Sequence, residues 1–107
     1  MSTDPIKEEL EREINSNPII LYIKGEKDQP VCGFSMRVVQ VFKELGVPFE
    51  TRNVLLDPQR LAKLKEMANW PTTPQVYIDG ELIGGCDITL EMFQSGELQT
   101  LVEKYRK

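Results

Sequence analysis

The chemistry in this sequence centres on one cysteine, which stands where an apolar helical pattern begins. In the stretch PVCGFSMRVVQVF, Cys32 is followed three residues later by Ser35, where a C-x-x-C redox motif would have its second sulfur. A helix N-terminus carries partial positive charge and unpaired N–H groups, which favour a thiolate over a thiol. Lys24, at the end of the preceding strand, adds a nearby cation. The pattern predicts a reactive single thiol rather than a cysteine buried only for packing.

The segment NWPTTPQVYIDG is a second candidate feature, because Thr73-Pro74 precedes a strand there. A proline at this border predicts a rigid turn. The residues themselves leave two alternatives open. A cis peptide bond would leave the Thr73 backbone free to pair with an extended peptide, whereas an ordinary trans turn is far commoner in proteins.

The third candidate is GGCDITLEM, in which Gly84-Gly85 predicts a tight turn before a helix. We expect Asp87 to act as the N-cap of that helix. The N–H groups of Cys86 and Asp87 are suited to a carboxylate, and the Asp87 side chain to an ammonium. A ligand that carries both charges, such as a free amino acid terminus, would fit. The alternative is a plain capped helix with Cys86 buried.

Composition limits the kind of protein that these features belong to. The chain has 107 residues, 40% of them hydrophobic, so we expect a single domain over residues 1–107. A net charge of −4 argues against nucleic-acid binding, and no apolar run approaches the roughly 20 residues that span a bilayer. There is no histidine, which excludes histidine catalysis and histidine metal ligands. The polar, acidic start of the sequence favours a cytoplasmic location, or an organelle after removal of a transit peptide.

The elements that must position these residues follow an α-β-α-β-α-β-β-α-α order. Asp4-Pro5 and Asp57-Pro58 are helix starts, and Gly46 is the end of the helix that follows Cys32. The stretches PIILYIKG and VPFETRNVLL are strand candidates, residues 25–31 form a loop, and PTTPQVYIDGELIGG predicts a hairpin. Strands separated by helices predict parallel crossovers, so we expect a mixed four-stranded sheet with helices on both faces.

Taken together, the three candidate features resemble one family, the monothiol glutaredoxins. Four motifs carry the resemblance, and they occur in family order from about residue 14 to residue 101: Lys24-Gly25, Cys32-Gly33-Phe34-Ser35, Trp70-Pro71-Thr72-Thr73-Pro74 and Gly84-Gly85-Cys86-Asp87. The resemblance implies an α/β, thioredoxin-like fold and an extended glutathione molecule bound across these sites. Lys24 would hold the glycine carboxylate, Thr73 before a cis-Pro74 the cysteine part, and Cys86 with Asp87 the γ-glutamyl end. Trp70 and Phe34 would shape the pocket.

One position departs from the family pattern. Where the family usually has an arginine that binds the glycine carboxylate, this chain has Leu61. Arg60 is adjacent, although a shift of one residue turns a helical side chain by about 100°. Arg60 is therefore a doubtful glutathione ligand, with Lys63 and Lys65 as other substitutes, and weaker glutathione binding is the remaining alternative.

The resemblance gives the single thiol a function as a ligand for a [2Fe-2S] cluster. Such a cluster takes four thiolates. Two copies of Cys32 and two glutathione thiols complete that number in a homodimer, so Cys32 would be both iron ligand and nucleophile. In iron–sulfur cluster biogenesis, the cluster would then be transferred to acceptor proteins that do not yet hold a cluster. The family also implies heterodimers with BolA-like proteins, and neither nucleic acid nor membrane is an expected partner.

Two other functions remain open at this stage. The first is enzymatic: a single thiolate can take glutathione from a glutathionylated protein and be regenerated by a second glutathione. The family resemblance implies that this activity is weak, so whether the chain is an enzyme stays open. Family analogy also allows Cys86 to form a disulfide with Cys32 under oxidation, and the hypothesis that follows is a redox switch. Alternatively, the chain is a glutathione-dependent interaction module in which Cys32 only packs.

Overall fold

In a computed structural model, which describes residues 4–106, a four-stranded mixed sheet separates two groups of helices. The helices are α1 (Pro5–Ser16), α2 (Gly33–Leu45), α3 (Pro58–Ala68), α4 (Cys86–Ser95) and α5 (Glu97–Val102). The strands are β1 (Ile19–Ile23), β2 (Gly25–Glu26), β3 (Gln29–Pro30), β4 (Glu50–Asn53), β5 (Gln75–Ile78) and β6 (Glu81–Gly84). Two 3₁₀ turns complete the order, at Val54–Leu56 and Glu103–Tyr105. The predicted layered α/β architecture is confirmed.

The central sheet has the strand order β4-β1-β5-β6. Strand β1 pairs in parallel with β4 and antiparallel with β5, and β5 and β6 form the predicted hairpin. The expectation of parallel crossovers is therefore correct for β1 and β4 and wrong for β5. A left-handed Asn69 (φ 50°) ends α3, and the turn at residues 70–74 brings the chain into β5 in the opposite direction.

Alternation along β1 creates the two halves of the core. Ile19, Leu21 and Ile23 face a buried cluster with side chains from α2, α4 and α5. Ile20 and Tyr22 face the opposite cluster, which contains residues of α1 and α3. All five residues of β1 are buried, because successive side chains of a strand point to opposite faces and both faces are covered by helices.

The helix starts agree closely with the sequence patterns. Asp4 accepts hydrogen bonds from the N–H groups of Ile6 and Lys7, and Asp57 caps α3 in the same way. The predicted cap at Asp87 is wrong. Gly85 occupies the N-cap of α4, Cys86 is the first helical residue, and Asp87 lies within the first turn. Its carboxylate still lies near the positive end of the helix.

Two segments differ from the predicted elements. The loop at residues 25–31 contains the short antiparallel ribbon of β2 and β3. Of the predicted strand over residues 47–56, only Glu50–Asn53 form β4. The strand ends there because the Asn53 side chain accepts from the N–H of Leu55 and starts a 3₁₀ turn. Among residues 4–106, no helix has the length and apolar character needed to cross a bilayer.

Candidate functional site

Cys32 occupies the N-cap of α2, as its position in the sequence predicts. Its backbone is extended (φ −125°, ψ 134°), and its carbonyl accepts from the N–H of Met36 at 2.9 Å. The side chain is partly exposed. The thiol therefore sits at the surface, at the end of a 13-residue helix whose first N–H groups point toward it.

The surroundings of Cys32 lower the pKa of its thiol from the ordinary value. The largest contribution comes from the backbone N–H of Ser35. The backbone N–H of Phe34, the Ser35 hydroxyl and the Lys24 charge also lower the pKa, whereas partial burial of the thiol raises it. These N–H groups lie near the sulfur without closing a full N-cap hydrogen bond. A lowered pKa enlarges the thiolate fraction, and the thiolate is the nucleophile and the metal ligand.

Ser35 has a role that the sequence did not reveal. Its side chain is fully buried, and its Oγ accepts from the backbone N–H of Lys24 at 3.1 Å. The same hydroxyl favours the Cys32 thiolate. The residue that stands in place of a second redox cysteine thus connects the end of β1 with the reactive thiol.

A groove of about 390 Å³ opens beside the N-terminus of α2. One wall is formed by Trp70 and residues 72–74 and the other by residues 85–88, and Phe34 of α2 also lines the groove. The Thr73-Pro74 bond is cis, so the alternative of an ordinary trans turn is ruled out. Four predicted site positions, Thr73, Pro74, Cys86 and Asp87, are therefore brought together in one groove.

Gly85 allows the two walls of the groove to approach closely. A Cβ atom at this position would lie 3.2 Å from the carbonyl oxygen of Pro74 and 3.5 Å from Nε1 of Trp70. The first contact is tight, so the Pro74 carbonyl would have to shift by a few tenths of an ångström, whereas the second is an ordinary van der Waals contact. Glycine at residue 85 therefore allows the close approach of the two walls without such a shift.

Cys86 differs sharply from Cys32 in its environment. It is buried, with 7% of its surface exposed, and burial together with the Asp87 carboxylate raises the pKa of its thiol. The charge on Cys32 acts in the same direction, so the two sulfurs influence each other. Cys32 is therefore the more reactive of the two thiols, and Cys86 holds its proton more tightly.

Arg60 is not brought to the groove. Its guanidinium is directed to α1, where Nη1 lies 2.9 Å from Glu9 and Nη2 lies 3.4 Å from Glu13. Leu61 lies on the same side of the molecule as Arg60, where it packs against the buried cluster that contains residues of α1 and α3. Lys63 pairs with Asp4 at 2.7 Å. These cations are engaged elsewhere, whereas Lys24 lies close enough to influence Cys32.

Large apolar side chains are exposed in the residues that flank Cys32 and in the 3₁₀ turn after β4. We call the following set the apolar rim: Val31, Phe34, Met36, Leu55 and Leu56. Each has more than half of its surface exposed, up to 76% for Leu56. Exposed apolar residues beside a reactive group, as Val31, Phe34 and Met36 are beside Cys32 in the sequence, are typical of a surface that contacts another molecule.

A thiol at a helix N-terminus beside a groove formed by a cis-proline turn defines a thioredoxin-like thiol protein. Residues 19–83 match the glutaredoxin family. The chain is 54% identical over 102 residues to monothiol glutaredoxin-S14 of Arabidopsis thaliana, a chloroplastic protein, and 48% identical over 97 residues to glutaredoxin 4 of Escherichia coli. The chain therefore belongs to the glutaredoxin family, and it is of the monothiol type.

Coverage of these relatives differs. The match to the Arabidopsis protein includes 95% of this chain but only 59% of the relative, whereas the match to the E. coli protein includes 91% of this chain and 84% of the relative. The solution structure of reduced apo GrxS14 from poplar is 50% identical, with a TM-score of 0.83 over 96% of this chain and 94% of that one. A buckwheat glutaredoxin–glutathione complex is 26% identical, with a TM-score of 0.82 over 95% and 93% of the two chains.

Proposed function

We propose that this chain carries a [2Fe-2S] cluster between two copies of itself, with glutathione as co-ligand, and transfers the cluster to acceptor proteins. The observation that carries the proposal is one partly exposed cysteine, Cys32, whose thiol has a lowered pKa and which lies beside the groove of the cis-Pro74 turn. Cys86, the other cysteine, is buried with a raised pKa, so each chain offers one available thiolate.

The donor set fits a shared cluster. Among residues 4–106, no group of three or more histidine, cysteine or acidic side chains converges to hold a metal. One thiolate per chain supplies two of the four sulfur ligands when two chains meet, and two glutathione thiols supply the others. Cys32 would bind iron, and the cluster is cargo rather than a permanent part of the protein.

The groove is the proposed glutathione site. The buckwheat relative has been solved as a glutathione complex, and its fold matches this chain closely. Thr73 would pair through its backbone with the cysteine part of glutathione, and the first turn of α4, with Cys86 and Asp87, would hold the γ-glutamyl end. Lys24 would bind the glycine carboxylate. Arg60 as a glutathione ligand stays a prediction that its two ion pairs with α1 do not favour.

The apolar rim supports contact with another protein beside the cluster. Val31, Phe34 and Met36 flank Cys32 in the sequence, and all three are more than half exposed. Burying such side chains between two proteins is favourable by about 25 cal/mol per Å² of apolar surface. The same surface would serve a second copy, a BolA-like partner or an acceptor protein in turn.

Anaerobic reconstitution with iron, sulfide and glutathione tests the proposal. Visible absorption should appear only when glutathione is present, and it should be lost in Cys32→Ser. Circular dichroism of the variant is the control for folding. A colourless protein under these conditions would overturn the proposal, and glutathione binding measured by calorimetry would then show whether Leu61 is the cause.

A second candidate function is removal of glutathione from proteins, which the lowered pKa of Cys32 favours. The Cys32 thiolate would attack the glutathionyl sulfur and release the protein thiolate, leaving glutathione bound to Cys32 by a disulfide. A second glutathione thiolate would attack that disulfide, forming glutathione disulfide and restoring Cys32. A glutathionylated peptide with glutathione as reductant tests this candidate, and no release of the peptide thiol would overturn it.

A further inference from the structure

The turn that forms one wall of the groove is held from inside the protein by a buried amide. Gln75, the first residue of β5, has none of its surface exposed. Its Nε2 donates to the carbonyl oxygen of Trp70 at 3.2 Å and to that of Thr72 at 3.3 Å. Both acceptors belong to residues that line the groove. The Gln75 side chain therefore fastens the turn to the end of the central sheet.

Tyr77 completes the hydrogen bonding of this amide. Its side chain is buried, and its hydroxyl donates to Oε1 of Gln75 at 2.9 Å. Burial raises the pKa of Tyr77 to about 12, so the phenol keeps the proton that it donates. The carbonyls of Trp70 and Thr72 can only accept, so Nε2 faces them and Oε1 faces Tyr77. Both ends of the amide thus have partners that match one orientation.

Little else holds this wall through hydrogen bonds. Within residues 4–106, the other hydrogen bond made by residues 70–74 runs from the N–H of Trp70 to the carbonyl of Lys65 at 3.1 Å. The indole Nε1 of Trp70 is buried and has no partner among the described residues. The place of Trp70 and Thr72 in the wall therefore depends on their backbone, and Gln75 supplies the donor for both carbonyls.

We propose that Gln75 is a positioning residue for the groove: its amide fixes the carbonyls of Trp70 and Thr72, and so sets where the Thr73 backbone is presented to a ligand. An apolar side chain of the same length would fill the space but leave both carbonyls without this donor. The effect on glutathione rests on the proposed function, whereas the effect on the turn does not.

Gln75→Met tests the proposal, because methionine is unbranched, adapts to the same space and offers no donor. The Kd for glutathione, measured by calorimetry, should rise about tenfold, in line with the loss of two hydrogen bonds that fix the binding wall. Trp70 is the one tryptophan of the chain, so its indole N–H gives a single NMR signal, which should shift. Tyr77→Phe is the matched control. It keeps both bonds from Nε2, so the Kd should stay within about twofold of the unmodified value and the indole signal should keep its position.

A double variant separates positioning from a purely structural role. Gln75→Met leaves the Tyr77 hydroxyl buried without an acceptor, which should lower the melting temperature. Adding Tyr77→Phe removes that hydroxyl, so part of the melting temperature should return while the Kd for glutathione stays about tenfold raised. The proposal is overturned if the double variant regains glutathione binding together with stability, or if Gln75→Met binds glutathione as the unmodified chain does.

Solvent exchange in the unmodified protein gives a test that needs neither a variant nor glutathione. The side-chain N–H hydrogens of Gln75 should exchange with water at least about tenfold more slowly than those of Gln59, which is exposed on α3. Equal exchange rates would overturn the proposal even if no variant folds. If the unmodified chain binds no glutathione, the proposed function fails, and the exchange rates with the Trp70 indole signal still decide the role of Gln75.

Discussion

Ser35 and Lys24 are joined by a hydrogen bond of 3.1 Å from the Lys24 backbone N–H to the Ser35 Oγ, although they lie 11 residues apart. The Ser35 side chain is fully buried beneath Cys32, and its hydroxyl favours the thiolate. A second cysteine here would lose the oxygen that accepts from Lys24. The single-thiol motif thus preserves a link between the end of β1 and the reactive residue.

Replacing Ser35 by alanine should raise the pKa of Cys32 but leave it below the ordinary value. The hydroxyl is lost, whereas the larger contribution of the Ser35 backbone N–H remains. Cys32 alkylation should therefore need a higher pH to reach half its maximal rate. The Lys24 N–H would lose its acceptor, so the free energy of unfolding in urea should fall by about 1–2 kcal/mol. Ser16→Ala, which removes an exposed hydroxyl, is the matched control; an unchanged pH profile in Ser35→Ala would contradict the account.

Replacing Ser35 by cysteine should convert the site into a dithiol. Cys32 would then have a thiol partner three residues away at the same helix end. Mild oxidation should reduce the thiols titrated with Ellman's reagent from three to one, with Cys32 linked to residue 35 in the peptides identified by mass spectrometry. A disulfide with residue 35 should form more readily than one with Cys86, which is buried and has a raised pKa, so the iron ligand is lost faster and the reconstituted cluster should be less stable in air than that of the unmodified chain. Equal cluster lifetimes in the two proteins would argue against a cluster function for the single thiol.

Oxidation of the unmodified chain should link Cys32 to Cys86. The charge on Cys32 already influences Cys86, and α4 begins at Cys86 beside the groove. Attack starts from Cys32, because its thiol has the lowered pKa. Mild oxidation by glutathione disulfide should therefore reduce the free thiol count from two to none, with the linked peptides identified by mass spectrometry. A thiol count that stays at two would dismiss the proposed redox switch.

Arg60→Ala should leave the Kd for glutathione unchanged within about twofold. The guanidinium is committed to Glu9 and Glu13 on α1, away from the groove. Partly exposed ion pairs contribute little, so the free energy of unfolding should fall by less than about 1 kcal/mol. Lys24→Ala is the comparison and should weaken glutathione binding. A large rise in Kd for Arg60→Ala would restore Arg60 as a glutathione ligand.

The sequence identified the reactive thiol because its position depends on local rules. Cys32 before an apolar helical stripe, and Gly46 at its end, predict α2 without tertiary information, and the structure agrees. The Asp-Pro pairs fixed the starts of α1 and α3 for the same reason. The residues alone left the peptide bond at Thr73-Pro74 open, since cis bonds are uncommon; only the family resemblance implied cis.

What the sequence could not show depends on contacts between distant segments. In the sequence, Ser35 is recognisable only as a position without the second sulfur, because its bond to Lys24 forms when β1 and α2 pack together. Asn53 carried one local signal, an Asx-type start to a turn, but its bonds to Gly25 and Glu26 need the folded ribbon. The predicted cap of α4 at Asp87 differs by two residues from the observed N-cap, Gly85, because glycine is tolerated at an N-cap although it offers no side-chain acceptor that a sequence pattern could reveal.

Native mass spectrometry of the anaerobically reconstituted protein tests the central proposal most directly. The account predicts one species whose mass equals two chains, one [2Fe-2S] cluster and two glutathione molecules, and which disappears in Cys32→Ser. A cluster-bound species without glutathione, or iron and sulfide bound to a single chain, would contradict the shared site.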